Sequence, residues 1–212
     1  MPVRKIPKNY LVVTGRFASA KNDESHEFES LLERDHLILL EFDNEVASFE
    51  VQPVRIPVPG VPQGYVPDAR VVFKDIKRPA EIVEVKPKAD LERYAREFEP
   101  KFMAAKRYCE ERGQLFVVKS EEDIRGPYLQ NLKFLRRYKQ RTSPSEQKAA
   151  VLQFIIVQGG KSSSDAIVDA LGGPDRAAWL GTVWTMLVQG DLSADFESEF
   201  PVDVPVWIEA FQ

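Results

Sequence analysis

The stretch EIVEVKPK, residues 81–88, decides how this chain is read. As a β-strand its side chains alternate between faces, so Val83 and Val85 share one face while Ile82, Glu84 and Lys86 share the other. The valine face suits a buried sheet. The opposite face carries a carboxylate and an ammonium two residues apart, in a segment otherwise apolar enough to be interior. Burying such a pair costs on the order of several kcal/mol of desolvation per ion, so an acid and a base inside a sheet call for a function.

Neighbouring segments supply company for that pair. GYVPDARVVF (64–73) places Asp68 directly after Pro67, at the mouth of the strand preceding EIVEVK. Consecutive strands are usually neighbours in space, which sets Asp68 beside Glu84, with Lys86 one pleat further along. ESLLERD (29–35) puts Glu33 on a helix whose Leu31, Leu32 and LILL run (37–40) must pack on the sheet. Three carboxylates and a lysine converging on one spot make a site for a hard divalent cation. Mg²⁺ prefers oxygen ligands and is commonly held by one or two carboxylates together with a substrate phosphate. Such an ion activates water and neutralises charge on phosphorus, while a lysine steadies the phosphate or the nucleophile. The chemistry implied is hydrolysis of a phosphodiester.

Each residue also has a plainer reading. Glu33 stands three after Ser30, as in a capping box. Asp68 after Pro67 is a common way to start a strand, and Glu84 with Lys86 is an edge-strand salt pair if that strand is exposed. The flanking Ile82, Val83 and Val85 argue instead for a central strand. Lys101 and Lys106 lie on a helix within reach of phosphates or on a solvated face. Gln52, before Pro53, is a candidate accessory residue. Cys109 reads as core packing, and His26 and His36 as incidental.

Composition limits the alternatives. The chain has 212 residues, 43% hydrophobic and 29% charged, the balance of a soluble globular protein of one large or two small domains. MPVRKIPKNY has no apolar signal region and no stretch is apolar enough to span a bilayer, so a cytoplasmic protein without membrane contact is expected. With His26, His36 and Cys109 as the only soft ligands, a structural zinc site is not expected and a hard metal is favoured. Residues 1–142 hold 26 Lys+Arg against 23 Asp+Glu, whereas 143–212 hold 3 against 10.

That shift places an expected boundary at 142/143, where Ser143, Pro144 and Glu146 fit the N-cap, N1 and N3 of a new helix. The first domain, 1–142, reads as a loop or edge strand at 10–17, a helix at 28–40, and strands at 46–57, 66–74 and 80–87. A helical stretch comes next at 89–112, broken by Pro100 and stopped by Gly113, then a strand at 115–118 and a helix at 127–139. This is an α/β layer fold with a mixed sheet flanked by helices. The second domain, 143–212, reads as helices at 144–158, 164–171 and 175–189 and then a hairpin through 191–208, a winged-helix-like order. Its candidate recognition segment PDRAAWLGTVWTMLVQG carries Arg176 as its only cation, so it suits a docking module for a protein partner better than a DNA reader.

PD at 67–68 with EVK at 84–86 is the bipartite signature of the PD-(D/E)xK (restriction-endonuclease-like) nuclease superfamily. Around it, FESLLERDHLILLEFDNEVASFEVQPVRI, YVPDARV, IVEVKP, KFMAAKRYC and IRGPYLQNLKFLRRY occur in that order. Together these resemble the TnsA endonuclease subunit of heteromeric cut-and-paste transposases, over residues 3 to 140. The resemblance implies that Glu33, Asp68 and Glu84 are metal ligands, with the Val85 carbonyl completing the shell and Lys86 the catalytic lysine. It implies Mg²⁺ as cofactor, with Mn²⁺ able to substitute, and cleavage of the 5′ strands at transposon ends in double-stranded DNA. The partners it implies are the DDE transposase TnsB, which handles the 3′ ends, and the AAA+ ATPase TnsC, met by the C-terminal domain. Some members carry Gln where this chain has Glu84. A stand-alone restriction or repair nuclease and a non-catalytic adaptor are the rival readings.

Overall fold

The computed structural model describes residues 14–22 and 25–209. The chain forms two compact units, 1–125 and 126–212.

In the first unit a short antiparallel pair, β1 (Gly15–Phe17) and β2 (His26–Phe28), leads into helix α1 (Leu31–Phe42). The part of the expected first strand at 10–13 lies outside the described residues. Ser30 caps α1 by accepting from the Glu33 N–H. The helix turns Leu32, Leu37, Ile38 and Leu40 inward, and Leu31 is largely exposed. Strand β3 (Val46–Val51) comes next, then a hairpin of β4 (Ile56–Val58) and β5 (Val61–Tyr65), then β6 (Ala69–Phe73) and β7 (Glu81–Val85). The sequence pattern runs one strand through 46–57. The structure ends it at Val51, because Gln52 adopts φ +49° and turns the chain into the separate hairpin. That hairpin needs Gly64: at its φ of +66° a Cβ would lie 2.7 Å from the Ile56 carbonyl oxygen.

Helices α2 (Lys88–Arg93) and α3 (Ala95–Glu110) precede strand β8 (Leu115–Lys119) and the short helix α4 (Glu121–Ile124). The expected break at Pro100 is not there; Pro100 sits inside α3, and the interruption falls at Tyr94. Strands β3, β6, β7 and β8 form one mixed sheet in that order, antiparallel except for the parallel β7–β8 pair. β7 is therefore central, and Ile82, Val83, Glu84 and Val85 are all buried. Val85 lines a small pocket together with His36 and Leu37 of α1. The opposite face, with Glu84, is covered by Tyr65 of the hairpin, whose cluster includes Ile56, Val58 and Ala105 of α3.

The second unit begins with α5 (Pro127–Leu135) and a 3₁₀ turn (Arg136–Tyr138), and continues through α6 (Ser145–Val157), β9 (Lys161–Ser163), α7 (Ser164–Leu171), α8 (Arg176–Gln189) and β10 (Pro205–Trp207). Its core gathers Val151, Ile155, Ile167, Val183 and Met186 together with Leu135. Asn131 of α5 donates to the Phe196 and Ser198 carbonyls and accepts from the Phe200 N–H. The helix at 127–135 thus packs with the C-terminal helices and the 196–200 segment. The division falls at Arg125/Gly126, not where charge composition changes.

Two further expectations are corrected. α6 has Pro144 as its N-cap with no side-chain cap bond, and the Ser143 hydroxyl is buried without a partner. The hairpin through 191–208 reduces to one bridge, Ser193 with Trp207, because β10 pairs instead with β9. Among the described residues no helix is long and apolar enough to cross a membrane.

Candidate active site

The antiparallel register of β6 and β7 pairs Ala69 with Val83, which brings Asp68 and Glu84 opposite one another at the strand ends. Asp68 Oδ2 accepts from the Val85 N–H at 2.7 Å, so its carboxylate is tied to the backbone of β7. Lys86 Nζ lies 3.0 Å from Glu84 Oε1, 3.4 Å from Asp68 Oδ2 and 3.2 Å from the Val85 carbonyl oxygen. The Tyr65 hydroxyl donates to the other Glu84 oxygen at 2.7 Å. Glu33 enters from the first turn of α1. Its carboxylate accepts from the Glu29 N–H at 2.8 Å and from the Ser30 hydroxyl at 3.0 Å. Glu33 therefore takes part in capping its helix and also faces the site.

All of these side chains line one cavity of about 300 Å³, shared with Glu29, Gln52, Gln63 and Lys101. The structure thus assembles Glu33, Asp68, Glu84, Lys86, Gln52 and Lys101 in one place. Lys106 is not among them; it borders a separate hollow on α3 with Arg96 and Met103. Cys109 is buried core, as expected.

Electrostatics mark the spot. Burial and then the nearby Asp68 charge push the Glu84 carboxyl up to about 7, and the same two causes push Glu33 up to about 7. Burial pulls Lys86 down, but Asp68 and Glu84 more than reverse this and hold it above the usual lysine range. Carboxylates gathered in a desolvated cleft repel, and each raised pKa records the cost of keeping that charge without enough cation.

Carboxylate and carbonyl oxygens are the donor types a hard divalent ion takes, and here the Lys86 ammonium occupies the space between them. That ammonium rests on oxygens of Asp68, Glu84 and the Val85 carbonyl, three of the four groups that the resemblance implies as ligands, Glu33 being the fourth. Among the described residues no three acidic, imidazole or thiol side chains form a ready-made metal cage. The arrangement accounts for this, since one of the three oxygens is a backbone carbonyl and Lys86 stands between the two carboxylates.

Residues 43–121, from the end of α1 through β8, match the family model described as TnsA-like endonuclease N terminal. Over that span the chain is similar to the TnsA-like endonuclease family. A search of curated proteins gives no match. The matched span carries Asp68, Glu84, Val85, Lys86, Gln52 and Lys101 of this TnsA-like unit, and Glu33 lies before it.

Sequence reading missed two polar groups here. Tyr65, which anchors Glu84, comes from a hairpin that the pattern did not separate. Glu29 precedes α1 and reaches the cavity because the chain turns back on Glu33. His36 lies close by. Buried on the Val85 side of the sheet, beside Glu33 and Asp68, it has its pKa lowered to about 4, first by burial and then by Lys119. It is a neutral imidazole at ordinary pH.

Proposed function

We propose that this chain is the Mg²⁺-dependent endonuclease subunit of a heteromeric transposase, cutting the 5′ (non-transferred) strand at transposon ends. The observation that carries the reading is the Lys86 ammonium seated on the Asp68, Glu84 and Val85 oxygens of a central strand, within a TnsA-like unit. A structural salt pair has no need of a third, mutually repelling carboxylate, a 300 Å³ opening or a lysine wedged between its acids.

Asp68, Glu84 and the Val85 carbonyl would hold the ion, with Glu33 at its margin. When bound, Mg²⁺ polarises the phosphate and acidifies water. The chain supplies the rest. Tyr65 and the Val85 N–H fix the two carboxylates in register, so the site is assembled before substrate arrives. Lys86, released from those oxygens, swings toward the scissile phosphate and neutralises its charge. Lys101, which lines the same cavity, meets the neighbouring phosphate. In the reaction the water oxygen forms a bond to phosphorus and the ester P–O bond breaks, its electron pair staying on the sugar oxygen. One proton leaves the water for solvent, and one from solvent ends on that oxygen.

The second unit supports a winged-helix-like reading by its order of helix, strand, two helices and a returning strand. Its role is docking to the ATPase, with the transposase as the other partner. With the division at Arg125, residues 1–125 hold 21 Lys+Arg against 23 Asp+Glu, and 126–212 hold 8 against 10. The second unit is dipolar, with Lys133, Arg136, Arg137, Lys139 and Arg141 at its start and an acidic remainder. A docking partner for the remainder presents a basic surface.

The test is strand-resolved cleavage of a duplex bearing the transposon end, in Mg²⁺, with and without the partner transposase. The reading expects a 5′-strand nick that appears only with the partner. Equal cutting of any plain duplex by the chain alone would favour a stand-alone nuclease, and no cutting under any condition would favour an adaptor.

A further inference from the structure

Gln52 is the one non-glycine residue among the described residues held at positive φ, +49°. A side-chain-bearing residue in this region is strained and persists where its surroundings fix it. Here the fixing contact is the Gln52 N–H, which donates to the Asp68 carbonyl at 2.9 Å. The turn carries the side chain into the cavity of the carboxylates. It is only 5% exposed. Its Nε2 donates to Glu29 Oε1 at 2.9 Å, while its Oε1 is buried with no partner. A buried carbonyl oxygen left without a donor is a second cost at the same residue. Two costs at one residue, both at the site, point to a ligand for that oxygen.

The ligand must be a hydrogen-bond donor. A DNA backbone offers only acceptors around the scissile phosphate, so the donor that arrives there is water. We propose that Gln52 and Glu29 form a water-orienting pair. The attacking water donates one hydrogen to Gln52 Oε1 and the other to the Glu29 carboxylate, which turns its lone pair toward phosphorus. The Gln52 amide holds Glu29 in place, and the Glu29 N–H holds Glu33 at 2.8 Å. One kinked residue therefore ties the water to the carboxylates across the cleft. The bonds made and broken are those of the hydrolysis already described, and the inference rests on that nuclease reading.

Glycine accepts φ +49° without strain, so Gln52→Gly separates backbone from amide. In the full chain with its partner transposase, on an end-bearing duplex in Mg²⁺, this variant keeps or raises Tm and binds DNA like the wild type. Its turnover falls by roughly 100-fold, the scale of a misplaced reactant. Gln52→Asn, which tolerates the same backbone but is one methylene shorter, falls between. Glu29→Gln lowers turnover with unchanged DNA affinity. Gln52→Gly cutting within about threefold of wild type, or losing turnover only in step with Tm or DNA affinity, overturns the proposal. If the wild type itself does not cut, and Asp68→Asn behaves identically, the nuclease reading fails and this pair with it.

Discussion

Asp68 Oδ2 accepts a hydrogen bond from the Val85 N–H at 2.7 Å, across the β6–β7 strand ends. That bond makes the acid a structural part of the sheet as well as a proposed metal ligand, so the choice of substitution matters. Asp68→Asn keeps an oxygen for the Val85 N–H and removes the charge that repels Glu33 and Glu84. Its metal-free Tm should equal or exceed that of the wild type, whereas Asp68→Ala leaves the amide bare and should lose about 1–3 kcal/mol relative to it. Thermal melts in a chelator check this, and an Asn variant clearly less stable than the Ala variant would contradict it.

A pH dependence arises from Glu84. Its folded pKa, about 7, lies above the ordinary value of 4.5, so the folded state holds the extra proton between those limits. The contribution of a raised group is present at low pH and lost as pH rises through the folded value. His36, lowered to about 4, acts the opposite way and obscures the raw curve. The difference between Glu84→Gln and wild type cancels His36. The variant's Tm advantage should grow from pH 5 to pH 8 without metal and shrink when Mg²⁺ is added, since ion binding stabilises the wild-type fold. A flat difference would remove Glu84 from the charged cluster.

The clustering of Asp68, Glu84 and Lys86 was more legible in the sequence than the architecture around it. Strand parity alone put Glu84 and Lys86 on one face, and the proline before Asp68 marked the mouth of the neighbouring strand. These are local signals. Glu29 and Tyr65 were hidden because their approach depends on a chain reversal before α1 and on a hairpin folding over the sheet. Gln52 concealed that hairpin, since V-Q-P-V reads as continuous strand until one residue takes a left-handed turn. The boundary was misplaced for a similar reason. Composition reports solvent-facing charge, whereas Leu135 and Asn131 report where α5 packs.

That packing has a consequence for truncation. Residues 126–212 should fold alone, with cooperative melting. Residues 143–212 should not, because they lack Leu135 and leave the Phe196, Ser198 and Phe200 backbone groups without Asn131. Replacing the fully buried Leu135 by Ala within 126–212 should cost about 2–5 kcal/mol. Circular dichroism melts of the two fragments decide it, and equal cooperativity would restore the boundary at 142/143.

The isolated chain should be nearly inert on ordinary duplex. The first unit carries 21 Lys+Arg against 23 Asp+Glu, so it gains little sequence-independent affinity from phosphates. Binding measured against salt should show a shallow slope until the transposase is added. Tight, steeply salt-dependent binding by the chain alone would contradict this.

The central claim is that the Asp68–Glu84–Lys86 cluster cuts DNA. Its most direct measurement is 5′-strand nicking at a transposon end, with the partner transposase and Mg²⁺ present, for wild type beside folded Asp68→Asn and Glu84→Gln. The account predicts nicking by the wild type and its loss, by at least roughly 1,000-fold, in both variants. Either variant cutting within about tenfold of wild type, with its fold intact, would contradict the account.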